Sequence, residues 1–179
     1  MTKQVFIING SGGVGKDTFV NLVTEYFNSR YKYKTINFSS VYEIKRIAKI
    51  IGWDGVSKTE KDRKFLSDLK SLCTEYNDMP FKSMCKMMDE FNKSKYYQML
   101  FLHIREPEEI ERAKKEFNAK TILVKRNPIE HITSNKSDEK VYDYTYDIMV
   151  NNDGKIKDLE LKVIEFVEDF VDDMLKDNY

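Results

Sequence analysis

The sequence has few of the residues that stabilise small secreted proteins. Only two cysteines, Cys73 and Cys85, occur in 179 residues. Both lie in apolar helical patterns, so we expect buried thiols rather than a disulfide framework. The two histidines lack a second pair of ligands nearby, which argues against a structural zinc site. No apolar run approaches the roughly 18 residues of a membrane-spanning helix, and the N-terminus lacks the pattern of a signal peptide. We therefore expect a cytoplasmic protein.

An excess of charge of either sign is also absent. Thirty Lys and Arg residues balance thirty Asp and Glu residues. Like charges form no long blocks, so we expect neither nucleic acid nor a membrane surface as a partner. Local binding of a small anionic ligand remains open. The length favours a single domain, because 179 residues suffice for one well-buried core and are few for two.

Glycine is scarce as well, yet four of the seven glycines fall within six positions of GSGGVGKDT, residues 10–18. Gly10, Gly15 and Lys16 have the spacing of a phosphate-binding loop. In such a loop, backbone N–H groups converge on phosphate oxygens at a helix N-terminus, and the lysine reaches the outer phosphates. We therefore predict phosphate binding by Gly10, Ser11, Gly12, Gly13, Val14, Gly15, Lys16, Asp17 and Thr18. The alternative is an ordinary turn made of small residues.

The residue that follows Lys16 is unusual for this motif. A Ser or Thr commonly stands there and offers its hydroxyl to Mg²⁺, whereas this chain has Asp17. A carboxylate is a hard oxygen ligand suited to Mg²⁺, so we predict that Asp17 contacts the ion directly or through water. The alternative is that Asp17 only offsets the dipole of the following helix.

Apolar periodicity predicts strands that alternate with helices. Short apolar runs predict five strands at residues 4–9, 34–38, 96–103, 121–125 and 146–151. Helical spacing predicts a first helix over residues 16–28, and Pro107 predicts the start of a later helix. Capping boxes are predicted at Ser40 with Glu43 and at Ser57 with Glu60. The pattern predicts an α/β fold: a parallel sheet covered by helices on both faces, with its ligand beyond the carboxyl ends of the strands.

The GKDT sequence within the loop resembles the P-loop nucleotide kinases that carry GKD. Examples are phage-type deoxynucleoside monophosphate kinases and animal-type phosphomevalonate kinases. The segments DRKFLSDLKSL, LHIREPEEIERAKK and YTYDIMVNNDGKIKDLELKV are similar to further parts of the deoxynucleoside monophosphate kinases, and the last is also similar to dephospho-CoA kinase. The resemblance covers most of the chain. It implies a P-loop NTPase fold with an adenylate-kinase-like, five-stranded parallel sheet.

The same resemblance implies a function. It points to Mg²⁺-dependent phosphoryl transfer from ATP to a small phosphorylated acceptor, with a nucleoside or deoxynucleoside monophosphate as the preferred choice. Dephospho-CoA or phosphomevalonate is an alternative acceptor, and a nucleotide-binding regulatory module without an acceptor is a third possibility. A helical acceptor-binding insertion is implied at about residues 40–95. A short lid is implied at about residues 126–145, with a plain loop as its alternative.

Arginine is used sparingly, and four of the six arginines fall where the resemblance places phosphates. Arg46 and Arg63 lie in the insertion, Arg105 follows the third strand and Arg126 follows the fourth. We predict Lys16, Arg105 and Arg126 as catalytic residues, and Arg46, Arg63 and Arg105 as acceptor ligands. A surface ion pair is the alternative for each arginine.

One position departs from the family pattern. The family commonly has an aspartate at the end of the third strand, where this chain has His103 followed by Arg105 and Glu106. The carboxylate has either moved to Glu106, a second candidate Mg²⁺ ligand, or is absent. Asn151, at the end of the last strand, lies where similar kinases bind adenine. An ordinary turn is the alternative for this asparagine.

Overall fold

A computed structural model describes residues 3–57, 59–127 and 141–176. Its centre is a parallel sheet of five strands in the order β2-β3-β1-β4-β5. The strands are β1 (Gln4–Asn9), β2 (Lys34–Ser39), β3 (Tyr97–His103), β4 (Lys120–Lys125) and β5 (Ile148–Asn151). The central strands are buried almost throughout, as their unbroken apolar runs predict. The predicted α/β architecture is therefore confirmed.

Strand register brings the polar residues that follow the strands to one edge of the sheet. Ile8 of β1 lies opposite His103 of β3, and Asn9 lies opposite Leu123 of β4. Lys125 of β4 lies opposite Asn151 of β5. Because all these strands run in parallel, the glycine loop and the residues after β3, β4 and β5 share this carboxyl edge.

Two helices cover one face of the sheet. They are α1 (Lys16–Tyr31) and the last helix, here called α6 (Ile156–Lys176). Their buried residues form one cluster with Phe6 and Ile8, and the Phe6 ring lies 5.1 Å from that of Phe166. The hydroxyls of Tyr26 and Tyr31 both donate to Glu168 at 2.7 and 2.5 Å. These two hydrogen bonds hold the pKa of the Glu168 carboxyl below its usual value and tie α1 to α6.

A third helix packs against the central strands. It is α5 (Pro107–Phe117), which contacts β1 and β4. Pro107 stands at its first turn, as predicted, where a missing backbone N–H costs nothing. Its residues Ile110 and Ala113 are fully buried, yet neither joins the cluster around Phe6. The sheet is thus buried on both faces.

The chain divides into two compact units. One consists of Met1–Asn37 and Phe91–Tyr179, and the other of Phe38–Glu90. The second unit holds α2 (Tyr42–Ile51), α3 (Glu60–Asn77) and most of α4 (Met79–Lys93). Helices α2 and α3 contact each other. Ile44 and Ala48 of α2 are buried, whereas α3 has no buried residue.

Several predicted boundaries are wrong by two or three residues. Helix α1 continues past Asn28 and ends where Lys32 takes a left-handed conformation with φ 63°. The cap of α2 is Val41, without a side-chain hydrogen bond, so the predicted box at Ser40 and Glu43 does not form. At α3 the box is formed by Thr59 and Asp62 instead of Ser57 and Glu60. Periodicity locates a helix well, but several nearby polar residues compete to cap it.

Candidate phosphate site

The glycine loop lies between β1 and α1 and has the backbone that its glycines predict. Gly10, Gly13 and Gly15 have φ of 147°, 78° and 98°, a region that side chains disfavour. Gly15 is the N-cap of α1 and offers no side chain to the first-turn amides. The positive end of the helix therefore points into the loop without a capping oxygen, which favours an anion there.

The glycines of the loop serve two different purposes. A Cβ atom on Gly10 would lie 2.3 Å from the Val124 carbonyl oxygen, and one on Gly15 would lie 2.4 Å from Nδ2 of Asn152. These two glycines let the loop rest on the ends of β4 and β5. A Cβ atom on Gly12 or Gly13 would meet nothing within 4 Å. Their backbone faces open space, where a phosphate group can approach.

Lys16 lies folded across the loop. Its Nζ donates to the carbonyl oxygens of Gly10 and Ser11 at 2.5 and 2.7 Å. The ammonium group of this first residue of α1 therefore lies beside the first two loop residues. This is the position from which a lysine can neutralise phosphates held by the loop.

Asn9, the last residue of β1, is a buried residue of the site that sequence reasoning missed. Its Oδ1 accepts from the Gly10 N–H at 2.8 Å, while its Nδ2 donates to the Arg105 carbonyl and to the Tyr146 hydroxyl at 3.0 and 2.8 Å. The side chain is fully buried. Asn9 thus connects the loop, the end of β3 and the segment before β5. The available signal was a polar residue at the end of an apolar strand, directly before a glycine.

The structure adds residues 141–147, here called the tyrosine segment, to the site. The predicted lid included residues 141–145, but no role was predicted for their tyrosines. The segment begins with a short 3₁₀ helix, Val141–Asp143. The Tyr142 hydroxyl lies 3.1 Å from the Ser11 hydroxyl, and the Tyr144 hydroxyl donates to Glu111 of α5 at 2.8 Å. Burial raises the pKa of Tyr146 to about 12, against a smaller opposite effect of the Asn9 hydrogen bond. The alternation of tyrosines in VYDYTYD was the signal in the sequence.

Asp147 fixes the tyrosine segment to β4. The last strand was predicted to begin at Tyr146, but Tyr146 and Asp147 lie before β5. The Oδ2 atom of Asp147 accepts from the N–H and the hydroxyl of Thr121 at 2.7 and 2.8 Å, and its Oδ1 accepts from Lys114 at 2.8 Å. Burial raises the pKa of the Asp147 carboxyl, but these hydrogen bonds outweigh it, so the net pKa lies below the usual value.

We expect Asp147→Asn to lower the free energy of unfolding by about 1 kcal/mol at pH 7, since a charge-assisted pair that is more than a third exposed contributes modestly. A lowered folded-state pKa means that the carboxylate stabilises the fold above its unfolded pKa, and that this contribution is lost as the pH falls through the folded value. The difference between the two proteins, measured by urea titration, should therefore shrink as the pH falls below the usual pKa of an aspartate and vanish once the folded carboxyl is protonated. Asp143→Asn, an exposed change in the same segment, is the matched control. An equal loss in both variants at pH 7 would contradict the prediction.

The two asparagines after β5 have different surroundings. Asn152 donates from Nδ2 to the Val14 carbonyl at 2.9 Å and from its backbone N–H to Lys125 at 2.7 Å. It therefore supports the loop backbone. The Asn151 side chain is exposed, and its carbonyl accepts from the Lys162 amine. Its predicted contact with adenine stays a prediction.

The candidate Mg²⁺ ligands differ in position. Asp17 lies in the first turn of α1 with 86% of its side chain exposed, and its Oδ1 is 3.9 Å from Nδ1 of His103. Glu106 is the N-cap of α5 without a side-chain cap bond. Within the described ranges, no three His, Cys, Asp or Glu side chains form a group that would hold a metal ion. Any ion at Asp17 would therefore need ligands beyond the protein, as Mg²⁺ at phosphate sites commonly has.

The predicted arginines are distributed over both units. Arg105 is half-buried after β3, and Arg126 is exposed after β4. Arg46, on α2 of the second unit, pairs with Glu43 at 2.8 Å, the surface ion pair that was its alternative. Arg63 is half-buried in the first turn of α3. The roles assigned to these four residues stay predictions.

The predicted lid lies largely outside the described residues, since positions 128–140 are not described. At its start, the Asn127 N–H donates to Asp153. At its end, residues 141–145 belong to the tyrosine segment. A separate pocket of about 460 Å³ opens between β5 and α6. No loop residue lines this pocket, so it does not bear on phosphate binding.

The sheet order and the glycine loop between β1 and α1 define an α/β P-loop NTPase fold. No known family profile and no curated protein match the sequence. Similar solved structures include an APS kinase from Mycobacterium tuberculosis, with 12% identity, a TM-score of 0.45, and coverage of 93% of this chain and 98% of that one. A shikimate kinase from Aquifex aeolicus has 13% identity and a TM-score of 0.46, with coverage of 94% of this chain and 98% of that one. A thymidylate kinase from Ehrlichia chaffeensis has 11% identity and a TM-score of 0.49, with coverage of 93% of this chain and 100% of that one.

Within the described part of the chain, no helix has the length and apolar character needed to cross a membrane.

Proposed function

We propose that this protein is a phosphotransferase that moves the terminal phosphoryl group of ATP to a small phosphorylated acceptor, a nucleoside or deoxynucleoside monophosphate. The observation that carries the proposal is the loop itself. Its open backbone at Gly12 and Gly13, the uncapped start of α1 and the Lys16 amine meet in one place. This combination recognises phosphates in preference to other ligands.

Phosphoryl transfer needs positioning and positive charge more than covalent chemistry. Lys16 would contact the outer phosphates, and Arg105 and Arg126 would approach the transferred group from the ends of β3 and β4. Both arginines follow strands that end at the same edge of the sheet as the loop. Arg46 and Arg63 are the proposed ligands of the acceptor phosphate.

We propose that a Mg²⁺ ion binds near Asp17. The Asp17 carboxylate is exposed beside the loop, and a single protein carboxylate suffices when phosphates complete the coordination. The ion would neutralise charge on the phosphates. Asp17 would hold it, and His103, at 3.9 Å, would orient the carboxylate through water.

The test is ADP release from ATP and Mg²⁺, measured with ribo- and deoxynucleoside monophosphates, dephospho-CoA and phosphomevalonate as separate acceptors. We expect one or more nucleoside monophosphates to raise ADP release at least tenfold above the rate with ATP alone. Stimulation by only dephospho-CoA or phosphomevalonate would support phosphoryl transfer from ATP but contradict a nucleoside monophosphate as the acceptor. Tight ATP binding without stimulation by any acceptor would favour a regulatory nucleotide-binding module.

A further inference from the structure

The tyrosine segment precedes β5 and contacts the candidate site through two of its three tyrosines. Tyr142 meets Ser11 within the loop, and Tyr146 meets Asn9 at the start of the loop. Tyr144, between them, turns to Glu111 on α5 and contacts Tyr146 at a ring distance of 5.0 Å. The segment therefore holds three tyrosines of the same chemistry, of which two contact the loop or its first neighbour and one contacts α5.

The Tyr146 hydroxyl has both of its hydrogen-bonding functions engaged. It accepts from Asn9 Nδ2 at 2.8 Å and donates to the Val141 carbonyl at 2.9 Å. Asn9 and Val141 are both fully buried. Removing this hydroxyl would therefore take one partner from a buried amide and another from a buried carbonyl, an unfavourable change wherever water does not replace it.

A short series of contacts leads from Tyr146 to the proposed phosphate contacts. Asn9 holds the Gly10 N–H at 2.8 Å, and the Gly10 carbonyl accepts from Lys16 Nζ at 2.5 Å. Gly10 is thus held by Asn9 at its N–H and by Lys16 at its carbonyl oxygen. An asparagine that changes its rotamer would release the N–H of Gly10, whose positive φ of 147° gives the loop its first bend.

We propose that Tyr146 is a positioning residue for nucleotide binding. Through Asn9 it fixes the first peptide of the loop before the nucleotide arrives, and Tyr142 adds a second hydroxyl contact at Ser11. A loop already held in its binding conformation loses less conformational entropy when phosphates bind. The inference rests on the proposed function, because it assumes that ATP is the ligand of the loop.

The experiment compares Tyr146→Phe with Tyr144→Phe. Both changes remove one hydroxyl from the same segment, but only the first hydroxyl contacts Asn9. The dissociation constant of ATP with Mg²⁺ is measured by calorimetry, and the free energy of unfolding by urea titration. We expect Tyr146→Phe to weaken ATP binding about tenfold, as one lost hydrogen bond implies, and Tyr144→Phe to leave it within twofold. KM for ATP should rise in Tyr146→Phe while kcat changes less.

The outcomes separate the inference from the proposed function. A wild type that binds ATP, with both variants showing equal affinity, overturns the inference alone. A wild type that binds ATP but transfers phosphate to no acceptor overturns the proposed function alone, and the comparison of dissociation constants still decides the inference. A wild type that does not bind ATP overturns both.

A second variant, Tyr142→Phe, keeps the inference testable if Tyr146→Phe is too unstable to be measured. The Tyr142 side chain is partly exposed, so Tyr142→Phe leaves the core intact. If Tyr146→Phe does not fold, weaker ATP binding in Tyr142→Phe than in Tyr144→Phe supports the inference. Equal binding in these two variants overturns it.

Discussion

Lys16→Ala should reduce acceptor-stimulated ADP release by about 10²–10³-fold, the loss typical when one group that stabilises transition-state charge is removed. The ammonium group is the cation that the structure places directly on the loop, bonded to the carbonyls of Gly10 and Ser11. Alanine places no positive charge there. Another lysine would have to reach into the loop to replace the lost ammonium group. The measurement is kcat and KM for ATP at saturating acceptor.

The control for this variant is Lys157→Ala, an exposed change on α6. Its activity should equal that of the wild type, and its unfolding free energy should change by less than about 0.5 kcal/mol. Circular dichroism should show both variants folded, because the Lys16 ammonium group bonds to loop carbonyls at the surface end of the sheet. If Lys16→Ala keeps more than a tenth of the wild-type activity, the loop does not bind the transferred phosphate as proposed.

Gly10→Ala should lower the free energy of unfolding by about 2–5 kcal/mol, the sum of an overpacked contact and a strained backbone. The new Cβ atom would lie 2.3 Å from the Val124 carbonyl oxygen and 2.9 Å from the Val14 side chain, and φ at this position is 147°. The carbonyl belongs to β4, so it cannot move without disturbing the sheet. Urea denaturation followed by circular dichroism measures the loss.

Gly12→Ala is the matched control in the same loop. Its Cβ atom would meet nothing within 4 Å, and its φ is not positive. We expect its unfolding free energy to stay within about 0.5 kcal/mol of the wild type. Similar losses in the two variants would mean that the loop does not rest on β4 as the structure has it.

Local patterns in the sequence predicted much of the fold. The apolar runs located all five strands. In the three central strands, β1, β3 and β4, residues buried on both faces of the sheet leave no polar alternation. The spacing of Gly10, Gly15 and Lys16 located the loop, since both the bends and the close approaches of its backbone exclude side chains. Pro107 located the start of α5 for an equally local reason.

Other parts of the site had no local signal strong enough to predict them. Asn9 looked like an ordinary strand end, Tyr142 lay in the predicted lid, and Tyr146 was assigned to the last strand. The last strand was predicted to begin at Tyr146, but it begins at Ile148. The side chains of Tyr146 and Asp147 bond instead to Asn9 and Thr121, more than twenty residues away. Contacts at such separations follow from the strand order and cannot be deduced from spacing.

The sequence by itself determined the alternation of strands and helices and the position of the glycine loop at residues 10–18, because these depend on backbone freedom and burial near each residue. Only the tertiary structure decided what holds that loop in place. The order β2-β3-β1-β4-β5 brings Asn9, Asn152 and the tyrosine segment to one edge. Their hydrogen bonds form because parallel strands end together there, although the residues are far apart along the chain.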